Sequence, residues 1–153
     1  MKMNVLMVSL LLLGTYQFGF SQKQLLGLWE GVITDGGIHT DEGFKFQLYI
    51  LEINKNKLVG RSYVYLSEEE VVEMDIEGVI YGDRSIYFRD INFVPLEGGV
   101  TKAPYNRKYE VLYNRSIWDT KIEGYWQEIM PQVFADHRQR GRIKLKKAET
   151  AAP

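Results

Sequence analysis

Apolar and polar residues alternate with a period of two along most of the chain after residue 26, and almost no segment has the spacing of a helix. In the second of the resulting segments, Phe46, Leu48 and Ile50 share one face, while Lys45 and Gln47 occupy the other. One apolar and one polar face per strand is typical of an antiparallel sheet buried on a single side. The alternation predicts eight strands: Gly27–Thr34, Phe44–Ile53, Leu58–Leu66, Val71–Tyr81, Ser85–Phe93, Lys108–Tyr113, Ile117–Gln127 and Gly141–Lys147.

A short motif, an inward aliphatic residue followed two positions later by glycine, occurs in three of these strands. Its occurrences are Leu58-Val-Gly60, Ile76-Glu-Gly78 and Ile122-Glu-Gly124. Glycine on the inner face removes bulk and lets a strand coil, which the closure of a narrow barrel requires. The sequence therefore predicts an all-β fold, an eight-stranded antiparallel up-and-down barrel.

The connections between the predicted strands differ in length. Short turns follow the second, fourth and sixth strands, and a short acidic turn, Ser67-Glu-Glu-Glu70, follows the third. Long connections follow the first, fifth and seventh strands, at Asp35–Gly43, Val94–Arg107 and Glu128–Arg140. In an up-and-down meander the odd-numbered connections emerge at the same end, so the long ones share one rim. Because long loops carry function more often than tight turns do, we expect the working surface at this end.

The first 21 residues have the features of a secretory signal peptide. A positive start precedes the apolar run Val5–Leu13, and Gly19-Phe-Ser21 supplies the small residues needed for cleavage before Gln22. The apolar run is too short to cross a hydrocarbon core, which needs about 20 residues. We therefore expect a secreted or periplasmic protein with a barrel domain at residues 22–147 and a disordered tail at residues 148–153.

Composition and charge exclude several classes of function. The chain has no cysteine, which excludes disulfides, thiolate metal sites and thiol catalysis. Its formal net charge of −1 provides no field that would attract nucleic acid, so we expect no nucleic-acid partner. No second apolar stretch has the length of a transmembrane segment. A domain without covalent cross-links depends on its core, which the 13% of aromatic residues can supply.

Gly27-Leu28-Trp29, at the start of the first predicted strand, resembles the Gly-x-Trp motif of the lipocalin and calycin superfamily. The resemblance extends to the signal peptide, the eight meandering strands and the basic last strand, as in small secreted lipocalin-like domains of bacteria. It implies that Trp29 seals the closed end of the barrel and that a basic residue, Arg142 or Lys144, packs across the indole. We assign Trp118, on the inner face of the seventh predicted strand, to the same closed end.

The barrel interior is the first candidate binding site. Eight strands enclose a space that side chains can just fill or that holds one small ligand. We expect a non-enzymatic binding protein that holds a small apolar ligand in the barrel mouth. The alternative is a filled barrel that serves as a protein-interaction module of an envelope assembly and docks through apolar side chains of its long loops. The candidate ligand-binding residues are Phe46, Leu48, Met74, Phe88, Tyr105, Trp126, Met130 and Phe134.

The two histidines are a second candidate, for a rim-site hydrolase or a metal enzyme. His39 and His137 fall in the first and last long loops, which adjoin neighbouring strands if the barrel closes. Together with Asp41 they could bind a divalent cation or act as an acid–base pair. The sequence has no closely spaced histidine pair of the kind that marks metal sites. We therefore predict no cofactor and no catalytic residues.

Cleavage before Gln22 can be tested directly. Removing residues 1–21 from the 153-residue chain leaves 132 residues. Intact-mass spectrometry of the protein recovered from the periplasm or medium of the expression host should give the mass of a chain that begins at Gln22. Finding the uncleaved mass in that fraction would contradict the prediction.

Overall fold

The computed structural model describes residues 22–35, 39–40, 42–94, 106–116, 118–131 and 138–149. A 3₁₀ turn at Gln22–Leu25 precedes eight strands: β1 (Gly27–Thr34), β2 (Gly43–Asn54), β3 (Lys57–Tyr65), β4 (Val71–Ile80), β5 (Ser85–Val94), β6 (Arg107–Asn114), β7 (Lys121–Glu128) and β8 (Arg140–Lys147). Within these described ranges, no helix has the length and apolar character needed to cross a bilayer.

The eight strands form a closed antiparallel barrel in which each strand pairs with its neighbours in sequence. β8 returns to pair with β1, where Gly31 lies opposite Leu145 and Ile33 lies opposite Ile143. The structure therefore confirms the predicted all-β, up-and-down barrel. The predicted strand limits agree with the observed ones to within one residue, except at the start of β7.

β7 begins at Lys121, later than the predicted start at Ile117. The Oγ of Ser116 accepts a hydrogen bond from the backbone N–H of Trp118 (3.3 Å), and the hydroxyl of Thr120 donates to the Ser116 carbonyl (3.3 Å). These side-chain hydrogen bonds hold a turn in place of strand pairing. Trp118 is 92% exposed, so its predicted position on the inner face is wrong.

Alternate residues of each strand point inward and form one continuous core. Its centre is aromatic: Phe88 stacks on Tyr109 with ring centroids 4.3 Å apart, and Tyr109 lies 5.9 Å from Phe46. Because β2 and β6 are on opposite walls of an eight-stranded barrel, the contact between Phe46 and Tyr109 spans the lumen. Aromatic pairs of this kind add about 0.5–1.5 kcal/mol beyond the burial of their surface.

Gly60 and Gly124, both from the repeated motif, lie where neighbouring strands approach closely. A Cβ on Gly60 would lie 2.1 Å from the carbonyl oxygen of Tyr49, and a Cβ on Gly124 would lie 2.2 Å from that of Glu110. No side chain can be accommodated at these distances. The tight coiling of both walls therefore depends on glycine, as the repeated motif predicted.

The end of the barrel beside the 3₁₀ turn is sealed by Trp29. This residue is 0% exposed, its Nε1 donates to the Leu25 carbonyl at 2.8 Å, and Tyr113 packs against it edge-on with ring centroids 5.9 Å apart. The Nζ of Lys147 lies 4.7 Å from the centre of the indole ring, a favourable cation–π contact. The basic residue that packs on Trp29 is therefore Lys147, and not Arg142 or Lys144 as predicted. We refer to this end as the closed end.

Arg142 lies near the opposite end of β8, so its predicted position at the closed end is wrong. Its backbone N–H donates to the Oγ1 of Thr34 at 2.7 Å, and its guanidinium donates to the carbonyl of Thr40 at 3.2 Å. Lys144 is exposed on the outer wall. Because β8 runs towards the closed end, only its last residues can reach Trp29.

Replacing Trp29 with alanine should lower the free energy of unfolding by about 3–5 kcal/mol, because the change leaves a cavity where a large side chain is fully buried. The matched change at the exposed position, Trp118→Ala, should alter stability by less than about 0.5 kcal/mol. Urea denaturation followed by circular dichroism measures both. A loss below about 1 kcal/mol for Trp29→Ala would show that this side chain does not seal the barrel.

Candidate functional site

The long connections emerge at the end of the barrel opposite Trp29. The antiparallel neighbour order places the connections after β1, β3, β5 and β7 at one rim and those after β2, β4 and β6 at the other. Parts of the long connections lie outside the described residues. The strand ends define this first rim, which we refer to as the open end.

A group of buried polar side chains lies inside the lumen, in its open half. Its members, which we name the lumen polar cluster, are Ser62 on β3 (0% exposed), Asp90 on β5 (4%), and Arg107 and Tyr109 on β6 (1% each). Each occupies an inward position of its strand; Asp90, for example, follows the core residue Phe88 by two positions. The alternation that builds the core therefore also directs these polar groups into it.

Asp90 and Arg107 are joined by a hydrogen bond from the Arg107 backbone N–H to the Asp90 Oδ2 at 3.0 Å. The Arg107 guanidinium lies 4.4 Å from the ring centre of Trp126, whose negative face stabilises a cation that is removed from water. Trp126 is itself oriented by donation from its Nε1 to the Thr34 carbonyl at 2.8 Å. Opposite charges and an oriented indole thus hold the two charged residues in place.

The lumen polar cluster contains buried atoms without a hydrogen-bond partner among the described residues, including Asp90 Oδ1, Ser62 Oγ and the Tyr109 hydroxyl. Both hydroxyls are close enough to the Asp90 carboxyl to oppose the rise in its pKa, yet neither meets the distance and angle of a hydrogen bond to it. A buried polar atom without a partner costs about 1–3 kcal/mol. Such atoms are therefore expected to bind ordered water or a ligand group.

Burial raises the pKa of Asp90 to about 7, although the charge and the backbone N–H of Arg107 and the nearby hydroxyls of Tyr109 and Ser62 oppose the rise. Burial, together with the negative charge of Asp90, also raises the pKa of Tyr109 well above its usual value, so its hydroxyl stays protonated and can donate. Asp90 therefore changes its charge near neutral pH. When it is ionised, its charge balances that of Arg107.

The lumen polar cluster can act as a recognition site for a polar group. It presents hydroxyl donors on Tyr109 and Ser62 and an acceptor at Asp90 Oδ1, within a lumen that is otherwise apolar. A few converging polar groups in apolar surroundings are typical of small-molecule sites.

Most of the predicted ligand-binding residues lie in the same lumen. Met130 follows β7 at the open end and is half-buried, whereas Tyr105 and Phe134 lie outside the described residues. Phe88 and Trp126 contact the lumen polar cluster directly, through the Tyr109 ring and the Arg107 guanidinium. The predicted residues that the structure places inside the barrel, each at most 6% exposed, are Phe46, Leu48, Met74, Phe88 and Trp126.

The predicted metal-binding residues are not brought together by the described part of the chain. His39 is exposed, and Asp41 and His137 lie outside the described residues. The described residues contain no group of three or more histidine, cysteine, aspartate and glutamate side chains that could hold a metal ion.

Sequence reasoning missed Asp90 and Arg107. Asp90 stands on the apolar phase of β5, and a charged residue at an inward position is the signal that would have found it, because a buried charge requires a partner. The prediction that the sixth strand begins at Lys108 leaves Arg107 in a loop, whereas β6 begins at Arg107 and directs it inward. An error of one residue in a strand limit thus concealed half of the charge pair.

The described residues also line grooves on the outer wall of the barrel. One of about 440 Å³ runs along β8, and four of its charged side chains are paired with one another, Lys121 with Glu123 at 2.9 Å and Lys146 with Asp119 at 3.3 Å. We assign the candidate site to the lumen because it contains buried polar atoms, on Asp90, Ser62 and Tyr109, that form no hydrogen bond with a described residue.

No protein-family model, curated protein or solved structure matches this chain. The lumen polar cluster is therefore assigned from its burial, charges and hydrogen bonds.

The raised pKa of Asp90 predicts a pH-dependent stability. The folded-state pKa of about 7 lies above the ordinary value of 3.8, so the folded state binds the proton more tightly and stability falls as pH rises from about 4 to about 7. Between about pH 5 and pH 8, the free energy of unfolding of the wild type should fall by about 2–3 kcal/mol more than that of Asp90→Asn. Urea denaturation of both proteins across this range measures the difference. Parallel pH profiles would contradict the prediction.

Proposed function

We propose that this protein is a non-enzymatic binding protein that holds a small, mainly apolar ligand in the open half of its barrel, with a polar group of the ligand at the lumen polar cluster. The observation that carries the proposal is the set of three buried polar atoms without hydrogen-bond partners, on Asp90, Ser62 and Tyr109. A bound polar group would supply those partners.

The difference between the two ends supports entry of a ligand into the lumen from the open end. The closed end is filled by Trp29 and Leu25, both 0% exposed. At the open end, Phe44, Leu66 and Phe93 pack against the core but remain half-buried. An apolar molecule that entered here would cover these side chains and remove their surface from water, which favours binding.

The closed eight-stranded barrel is compatible with the lipocalin-like fold that Gly27-Leu28-Trp29 resembles. The contact of Lys147 with Trp29 supports the same assignment. Under this proposal the protein works outside the cytoplasm, in the periplasm or the medium, as its signal-peptide features indicate. Its ligand would then be a small molecule met in the envelope or beyond it.

The second candidate function is a filled barrel that acts as an interaction module of an envelope assembly. The aromatic contacts among Phe46, Tyr109 and Phe88 favour it, because they occupy the middle of the lumen. In this case ordered water would satisfy the three buried polar atoms. The open-end loops would then contact another protein.

Native mass spectrometry of the purified protein distinguishes the two functions. The binding function predicts either a co-purified small molecule, one per chain, or saturable binding of the apolar dye anilinonaphthalene sulfonate. A protein that carries no small molecule and does not bind the dye would favour the filled barrel.

Removal of one hydroxyl tests the role of the lumen polar cluster in the same assay. Tyr109→Phe removes an unpartnered donor in the open half and should weaken binding of the co-purified molecule about 2–10-fold. Tyr113→Phe is the matched control, since its hydroxyl faces Gln24 at the closed end (3.4 Å), and it should leave the affinity unchanged. Equal effects of the two changes would contradict the proposed site.

A further inference from the structure

Positive charge is concentrated at the closed end of the barrel. The 3₁₀ turn, the turns at residues 54–57, 81–84 and 114–120 and the segment 146–149 together hold seven lysine and arginine residues but three aspartate and glutamate residues. This end therefore carries a formal charge of +4, whereas the whole chain carries −1. The rest of the sequence is correspondingly acidic.

Most of these cations are free to meet a partner. Among the described residues, the ion pair at this end joins the Nζ of Lys146 to the Oδ1 of Asp119 at 3.3 Å. The cations that are exposed and form no ion pair with another described residue are Lys23, Lys55, Lys57, Arg84 and Arg115.

Two of the turns have a lysine or an arginine at a position whose backbone conformation favours glycine or asparagine. Lys55 and Arg84 have φ angles of 58° and 71°, in the left-handed region that glycine or asparagine adopts with less strain. Both residues are exposed, so no buried contact of their side chains accounts for the choice. Backbone strain at exposed residues is a reason to look for a function of their side chains.

The same end exposes aromatic side chains. Trp118 is 92% exposed in the turn before β7, and Tyr81 is 51% exposed in the turn before β5. The Tyr113 N–H donates to the Arg84 carbonyl at 3.0 Å, which ties the turn 81–84 to the end of β6, where the turn that carries Trp118 begins. Exposed aromatic rings and unpaired cations therefore occupy one pole of the molecule.

We propose that the closed end docks on the surface of an anionic lipid bilayer, with Trp118 and Tyr81 in the headgroup layer and the basic turns against the lipid phosphates. Tryptophan and tyrosine favour the membrane–water interface, where the ring is in an apolar layer and the polar tip is hydrated. Basic side chains near an anionic leaflet each add to the attraction. Charges distributed over several turns around one pole fit a planar anionic surface, and this orientation leaves the open end directed away from the membrane.

The tryptophans provide a direct measurement of this docking. The chain has three, and Trp29 and Trp126 are 0% and 1% exposed, so a change in emission on binding reports on Trp118. Vesicles of phosphatidylcholine with phosphatidylglycerol should shift the emission to shorter wavelength and carry the protein into the pellet on sedimentation. Vesicles of phosphatidylcholine alone should do neither, and salt should reverse the binding. Failure to bind the anionic vesicles, or binding without an emission shift, would overturn the proposal.

Variants test the charges and the aromatic ring separately. Lys55→Asn with Lys57→Gln removes two cations, keeps a residue that tolerates the left-handed backbone, and should weaken partitioning at least about tenfold, since each basic residue contributes about fivefold. The matched control, Arg140→Gln with Lys144→Gln, makes the same charge change at exposed positions on β8 away from the closed end and should have a much smaller effect. Trp118→Phe should abolish the emission shift and weaken binding. An equal loss in both double variants would reveal nonspecific charge attraction and would sink the proposal.

The protein used is the chain as processed by its host, with its mass checked, because a retained leader would itself bind lipid. Heparin serves as a second polyanion. Tight binding to heparin without binding to anionic vesicles would assign the basic pole to an acidic polymer and overturn the lipid assignment. The test is independent of the lumen, so its failure leaves the proposed ligand-binding function untouched.

Discussion

Pairing between β1 and β8 closes the barrel, and this contact decides which side of every strand faces the core. In an open sheet, the alternation of side chains gives two exposed faces. Once the first and last strands pair, one face lines a lumen, which must be filled by side chains or occupied by a ligand. Closure also requires neighbouring backbones to come so close that no Cβ fits at Gly60 or Gly124. The aromatic contact across the lumen and the burial of Asp90 and Arg107 both follow from this closure.

The two ends of the barrel differ in whether their buried polar groups have partners. At the closed end, Trp29 is enclosed by Leu25, Tyr113 and Lys147, so the indole N–H and the lysine charge are both satisfied. In the open half, Arg107 and Asp90 are buried together but polar atoms near them lack partners. Desolvation offsets much of the attraction between buried opposite charges, so their burial adds little stability by itself. Under the proposed function, a bound polar group would supply the partners that these polar atoms lack.

The proposed lumen site and the proposed membrane contact lie at opposite poles and are compatible. A barrel that docked through the closed end would present its lumen to the aqueous phase. Small apolar molecules partition into bilayers, so a binding protein held at the surface would be close to its ligand.

The alternation of apolar and polar residues by itself determined the number of strands, their order and nearly all of their limits, because a period of two is visible in any strand with one buried face. It also placed Phe46, Leu48, Met74, Phe88 and Trp126 inside the barrel. Only the tertiary structure decided that Lys147, rather than Arg142, meets Trp29, and that Asp90 meets Arg107, because such contacts depend on strand register and direction and not on local pattern. Trp118 shows most plainly what the pattern could not determine. It keeps the spacing of an inward residue, yet Ser116 accepts hydrogen bonds from the Trp118 N–H and the Thr120 hydroxyl, which hold a turn there and leave the ring in solvent.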